Sequence, residues 1–171
     1  MPNPTDKFTN FQSQVSFLSG YYNDAEGTSL DTEFSAINTW VDLVMGGTIV
    51  SDSNTISPNL DSGLFTTTAV GKYFLQFIFT FVGSASAVYG LRCTLNDNPI
   101  SYSNIVFSTR GTNVKWEVAQ TLIIDCGYNN IIDNPSGLYS SKNKIGFQAQ
   151  NTTGTGSLDL ENLLFNIIKI D

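Results

Sequence analysis

Histidine is missing altogether from this chain of 171 residues. Its absence excludes imidazole acid–base catalysis, triads built on histidine and histidine-ligated metal sites. Charge is also scarce: Asp, Glu, Lys and Arg make up 13% of the residues, about half the usual share of a globular domain. The balance is acidic, at −7, which disfavours binding to nucleic acid through its phosphates. Cys93 and Cys126 are the only cysteines, in LRCTL and IIDCGY, with no CxxC motif or ligand cluster beside them. Zinc is therefore not expected, and buried free thiols are the first expectation, with a disulfide as the alternative. The chain does not open on a basic segment followed by an apolar one. No apolar run approaches the ~18 residues that cross a membrane as a helix. A soluble chain made in a cytoplasm, with no membrane partner, is the expectation.

What is present is strand pattern. In Gly71–Val82, GKYFLQFIFTFV, the odd positions Tyr73, Leu75, Phe77, Phe79 and Phe81 are all apolar, and the even ones are mixed. Successive side chains of a strand point to opposite faces, so one face is aromatic and aliphatic throughout. This reads as the central strand of an all-β domain. Further strands are expected around Thr39–Met45, Thr48–Val50, Leu64–Val70, Ala87–Leu95, Ile100–Thr109, Val114–Asp125, Lys144–Asn151 and Ser157–Ile170. Asn96–Pro99 and Arg110–Asn113 carry turn chemistry. Two of the strands carry irregularities. Val114–Asp125 alternates through Trp116 and Val118 and then shifts to reach Leu122 and Ile124. In Ser157–Ile170 the parity changes near Asn162, which predicts a bulge. Eight or more such strands in one domain indicate a jelly-roll β-sandwich over residues 35–171.

Residues 1–34 differ from the rest and are expected to form a mostly irregular arm. Phe8, Phe11, Val15 and Leu18 are spaced 3, 4, 3, which fits a short helix capped by Thr5 or Asp6 and ended by Gly20. That arm either orders against a partner or folds over its own domain. The loop Gly127–Asn143 is unusually apolar, with Tyr128, Ile131, Ile132, Leu138 and Tyr139, and it exceeds the length of ordinary connections. It either contacts a partner or tucks onto the rim of the sandwich. Phe74, Ile78 and Val82 occupy the even positions of the central strand and face away from the core. Full burial of an apolar side chain of this kind is worth about 1.5–3 kcal/mol, so these residues favour cover from a second subunit.

Other constellations are weaker. Asp52, Asn54, Asn59 and Asp61 miss the EF-hand spacing and read as ordinary loop residues rather than Ca²⁺ ligands. Asp31 with Glu33, and Asp159 with Glu161, are carboxylate pairs that nothing brings to a cleft. No cofactor, no metal and no catalytic residue is expected. Asn151-Thr152-Thr153 matches the glycosylation pattern.

The GKYFLQF strand resembles the Gly-x-Tyr-plus-apolar strand of tumour-necrosis-factor-like and complement-type globular-head jelly rolls. The order around it is similar too: a Trp-bearing first strand at Asn38–Val41, then Gly63-Leu64-Phe65, the strand–turn–strand Leu91–Ile100, and a terminal apolar strand Leu163–Ile170. The family's frequent Gly-Asp before its penultimate strand is replaced here by Asn143-Lys144, and no long stalk precedes the domain. The resemblance implies a trimer assembled through one sheet, with Phe74, Ile78 and Val82 at the interface, and binding to other proteins. Phages use similar modules as capsid decoration proteins and fibre heads. With few charges and much Ser, Thr and Asn, the chain is expected to be a non-enzymatic virion protein: a homotrimeric capsid decoration (cement) protein bound to the major capsid protein or another virion protein. Contacts are expected through Phe8, Phe11, Val15 and Leu18 and the loop Gly127–Asn143. The alternative is the receptor-binding head of a phage fibre or tail tip that recognises a host glycan or protein.

Overall fold

The computed structural model describes residues 17–23, 31–45, 48–53, 56–59, 64–67, 69–111, 114–127 and 143–171. Two antiparallel sheets face each other. The first has five strands in the order β10 (Lys115–Cys126), β6 (Gly71–Gly83), β12 (Leu158–Lys169), β1 (Phe17–Asn23), β3 (Thr48–Ser53). The second runs β4 (Ile56–Asn59), β5 (Leu64–Thr67), β11 (Asn143–Asn151), β7 (Val88–Leu95), β8 (Asn98–Pro99). In addition, β2 (Val41–Asp42) pairs with β11, and β9 (Ile105–Ser108) pairs with β7. This is an all-β jelly roll, as the strand pattern indicates.

The central strand behaves as its alternation requires. Tyr73, Leu75, Phe77, Phe79 and Phe81 of β6 are buried without exception. They meet Phe65 and Phe147 from the facing sheet and Phe165 from the neighbouring β12, with Phe147 edge-on to both Phe77 and Phe79 at ring-centroid distances of 4.7 and 5.0 Å. Phe81 stacks on Phe107 at 5.5 Å. Edge-on and offset contacts of this kind suit the aromatic quadrupole and add to the area term. The Tyr73 hydroxyl donates to the Ala69 carbonyl at 2.8 Å, which satisfies the one polar atom of a buried phenol. Burial pushes that phenol above its ordinary pKa.

The bulge near Asn162 is present: the register of β12 on β6 shifts between Leu160 and Asn162. Asn96 and Asp97 both have positive φ, 52° and 64°, and close the β7–β8 hairpin in a left-handed turn that short Asx side chains tolerate.

Four expectations are corrected. The first concerns the arm. Phe17–Asn23 is a sheet strand inserted between β12 and β3, so the sandwich begins well before residue 35. Leu18 is fully buried opposite Ile167, and Gly20, expected to end a helix, lies mid-strand opposite Phe165. Leu18 thus serves its own core and is not a contact residue for a partner. The period that matters is Leu18, Gly20, Tyr22, set by the place the strand fills in the sheet, and this overrides the helical spacing. The rest of that helix, including Phe8, Phe11 and Val15, lies outside the described residues.

Second, Trp40 does not stand on the first strand; it precedes β2, on the other sheet. Third, β10 runs without a shift: Val118, Gln120, Leu122, Ile124 and Cys126 all face inward on one parity. The polar Gln120 hides this in the sequence. It is buried because its side-chain amide donates to the Ser103 carbonyl. Fourth, Ile100–Thr109 is not one strand. A 3-10 turn at Ser101–Ser103 interrupts it, held by the Ser103 hydroxyl donating to Ile100 O at 2.6 Å.

Candidate functional site

The outer face of the first sheet carries large apolar side chains that are exposed, among them Tyr21, Ile123 and Leu164. Residues directly opposite in antiparallel strands share a face. The registers therefore assemble rows that cross the strands. One row is Ile123, Phe74, Ile168 and Phe17, from β10, β6, β12 and β1 in turn. A second, two places along each strand from a polar row, is Ala119, Ile78, Leu164 and Tyr21. Between them run Thr121, Gln76, Asn166 and Ser19, with the Asn166 side-chain amide donating to Gln76 Oε1 at 3.3 Å.

Phe74, Ile78 and Val82 all lie on this face, and all three are half-buried. They do not end up in one row. Phe74 anchors the first apolar row and Ile78 the second, whereas Val82 stands between Lys115 and Asp159. Lys115 forms an ion pair with Glu161 there. The more exposed members were missed in the sequence: Ile123 at 56%, Leu164 at 53% and Tyr21 at 46%. A signal for them existed. Leu164 and Ile168 occupy the non-core parity of β12 after its bulge, and Ile123 that of β10, but each is legible only once the bulge and the Gln120 position are placed.

Of the proposed contact residues, Tyr128, Ile131, Ile132, Leu138 and Tyr139 lie outside the described residues, as do Asn54 and Asp61. Asp52 falls in β3 and Asn59 in β4, which are strands rather than parts of one loop. Asp31 accepts a hydrogen bond from the Ser157 hydroxyl at 2.8 Å. Among the described residues no group of three or more His, Cys, Asp or Glu side chains gathers to hold a metal. No helix among them is long and apolar enough to cross a membrane. Asn151 is a structural residue. It is buried, its Oδ1 accepts from the Thr153 and Gly154 amides at 3.0 Å each, and its amide donates to the Gly156 carbonyl at 3.0 Å.

Cys93 and Cys126 are free, buried thiols. Burial pushes Cys93 up to about 12 and Cys126 up to about 11, so neither is a nucleophile at neutral pH.

Comparison with known proteins bears on the fold. No protein-family model matches the chain, and no curated protein matches it. Among solved structures, the chain is similar to murine APRIL at pH 5.0, with 8% identity and a TM-score of 0.54 over 92% of this chain and 100% of that one. It is also similar to PRD1 vertex protein P5, at 20% identity and a TM-score of 0.48 over 91% of this chain and 97% of that one. A third likeness is the Eiger TNF of S. frugiperda, at 10% identity and a TM-score of 0.48 over 91% and 94%. The fold is thus the tumour-necrosis-factor-like jelly roll.

Proposed function

We propose that the chain is a structural protein of a phage particle that works as a homotrimer and decorates the capsid. The observation that carries the assembly is the pair of apolar rows through Phe74 and Ile78 on the outer face of the first sheet. Each apolar side chain left in water there forgoes on the order of 1 kcal/mol or more, which a second and third copy around a threefold axis would recover. The charge of −7 per chain opposes this only weakly at physiological salt, where exposed charges are screened within about 8 Å.

In this reading the mechanism is thermodynamic and needs no catalysis. A trimer that binds the assembled shell and not its free subunits stabilises the shell by mass action. The contacts with the major capsid protein would come from the residues ahead of β1, with Phe8, Phe11 and Val15, and from the stretch with Tyr128, Ile131, Ile132, Leu138 and Tyr139. Low charge and abundant Ser, Thr and Asn support a virion surface over a nucleic-acid partner.

The test is co-sedimentation of the purified protein with capsids, together with the heat resistance of those capsids. The decoration reading predicts saturable binding and a raised disruption temperature. Capsids that neither bind the protein nor gain stability from it would instead place the domain at a fibre or tail tip.

A further inference from the structure

The first sheet ends on one side at β10, a strand of 12 residues that pairs only with β6 among the described residues. Ile170 N donates to Lys72 O at 2.8 Å on the β12 side, so the even residues of β6 turn their backbone groups that way. Phe74 is one of them, and Ile123 stands opposite it. In such a pair the backbone groups of the two residues point away from each other. The N–H and C=O of Glu117, Ala119, Thr121, Ile123 and Asp125 therefore point out from the edge, where no described strand lies. Tyr102, which belongs to neither strand, agrees: its hydroxyl donates to Ile123 O at 2.9 Å. An exposed edge of this length is a template for another strand.

The two apolar rows and the polar row between them give each strand of this face the same outward pattern. It reads apolar, polar, apolar at every second residue, as in Phe74, Gln76, Ile78 and in Phe17, Ser19, Tyr21. The same pattern stands ahead of β1 in Phe11, Ser13 and Val15, which lie outside the described residues. Residues 8–16 hold no charge, proline or glycine, so nothing in their composition opposes a strand. Their own chain cannot bring residues 11–15 to β10. Phe17 stands three strand spacings from β10, and a strand added beyond β10 lies a fourth away, about 19 Å in all. Only Ser16 separates Val15 from Phe17, and covalent geometry limits that step to about 7 Å. A second copy has no such limit.

We propose that residues 11–15 of a second copy add to the open edge of β10 as a further strand of the first sheet. Phe11 and Val15 then lengthen the two apolar rows, and Ser13 lengthens the polar row between them. Main-chain hydrogen bonds to the outward groups of β10 give affinity, and the alternate side chains give register. Tyr102 meets the incoming strand at Ile123; its ring is 65% exposed and can turn aside, and a carbonyl oxygen accepts two hydrogen bonds. A donor segment and an acceptor edge are two different surfaces, and head-to-tail contacts of this kind close rings. The exchange rests on the assembly of copies proposed above, but not on its threefold. A foreign strand would meet the same backbone groups; the pattern at residues 11–15 favours this chain as donor.

The experiment is disulfide trapping in the full chain. Ser13→Cys and Thr121→Cys are combined, because these positions face each other whether the added strand runs parallel or antiparallel. Mild oxidation is followed by blocking of free thiols and a denaturing gel without reductant, with each single variant as a control. The expected result is covalent dimers and trimers in the double variant and in neither control. Phe11→Asp together with Val15→Asp is expected to weaken self-association tenfold or more by sedimentation equilibrium. A wild-type trimer whose double-cysteine variant yields no cross-link overturns this inference alone and leaves the edge to a strand of another protein. A cross-link confined within one chain, or association untouched by the two aspartates, overturns it as well. Cross-linked copies from a wild type with the mass of a dimer support the exchange and contradict only the threefold.

Discussion

Leu164 of β12 stands directly opposite Ile78 of β6, and both point away from the core of their own subunit. Leu164 is 53% exposed, although it lies between Leu163 and Phe165, which are buried. Among the described residues no second layer covers Leu164 on that side.

Replacing Leu164 by Asp separates assembly from folding. In the subunit alone the change is at an exposed position and is expected to shift stability by no more than about 0.5 kcal/mol. In a trimer it places a charge at a buried interface, and several kcal/mol of association are expected to be lost. Thermal melts over a range of protein concentration check this. The wild type should melt later as concentration rises, and the variant should not.

Phe77 tests the core. It touches Phe65, Phe79 and Phe147 and is fully buried, so Phe77→Ala is expected to cost about 3–5 kcal/mol. Urea unfolding of the two proteins measures it, with the larger loss expected here than at any residue of the outer face.

Tyr73→Phe removes a single hydroxyl and leaves the Ala69 carbonyl without its partner. A loss of about 1 kcal/mol is expected, with no change in assembly. Chemical denaturation at fixed protein concentration reads this difference.

The thiols set an alkaline limit on stability. Burial raises the pKa of Cys93 to about 12 in the folded chain, against roughly 8.5 for an exposed thiol. The unfolded chain therefore loses this proton first. The stability contributed by the protonated thiol is complete below about pH 8.5 and declines as pH rises towards 12. Melting temperature measured from pH 8 to 11 should fall more steeply in wild type than in Cys93→Ala. Both thiols should resist a disulfide reagent at pH 8 until the protein is unfolded.

Much of this fold is legible in the sequence because β6, and β12 on either side of its bulge, place bulky apolar residues at alternate positions. The odd positions of β6 fill the core, and the parity change near Asn162 is a true bulge. The failures have physical causes. Leu18 satisfies two periods at once, and the gap between β12 and β3 decides for the strand. Gln120 breaks an apolar alternation, and its amide nitrogen finds the Ser103 carbonyl in the interior, a contact that periodicity does not announce. Trp40 reads as part of a first strand, whereas it precedes β2 and packs against Gly90 and Arg92. The proposed assembly face is half legible: Phe74 and Ile78 show in one strand, but their rows need cross-strand register, which no single stretch encodes.

The molar mass of the wild-type protein in solution, by size exclusion with light scattering at physiological salt, tests the central claim most directly. Three copies of the 18.7 kDa chain predict about 56 kDa, held over a tenfold dilution. A particle of 18.7 kDa at all concentrations would contradict it.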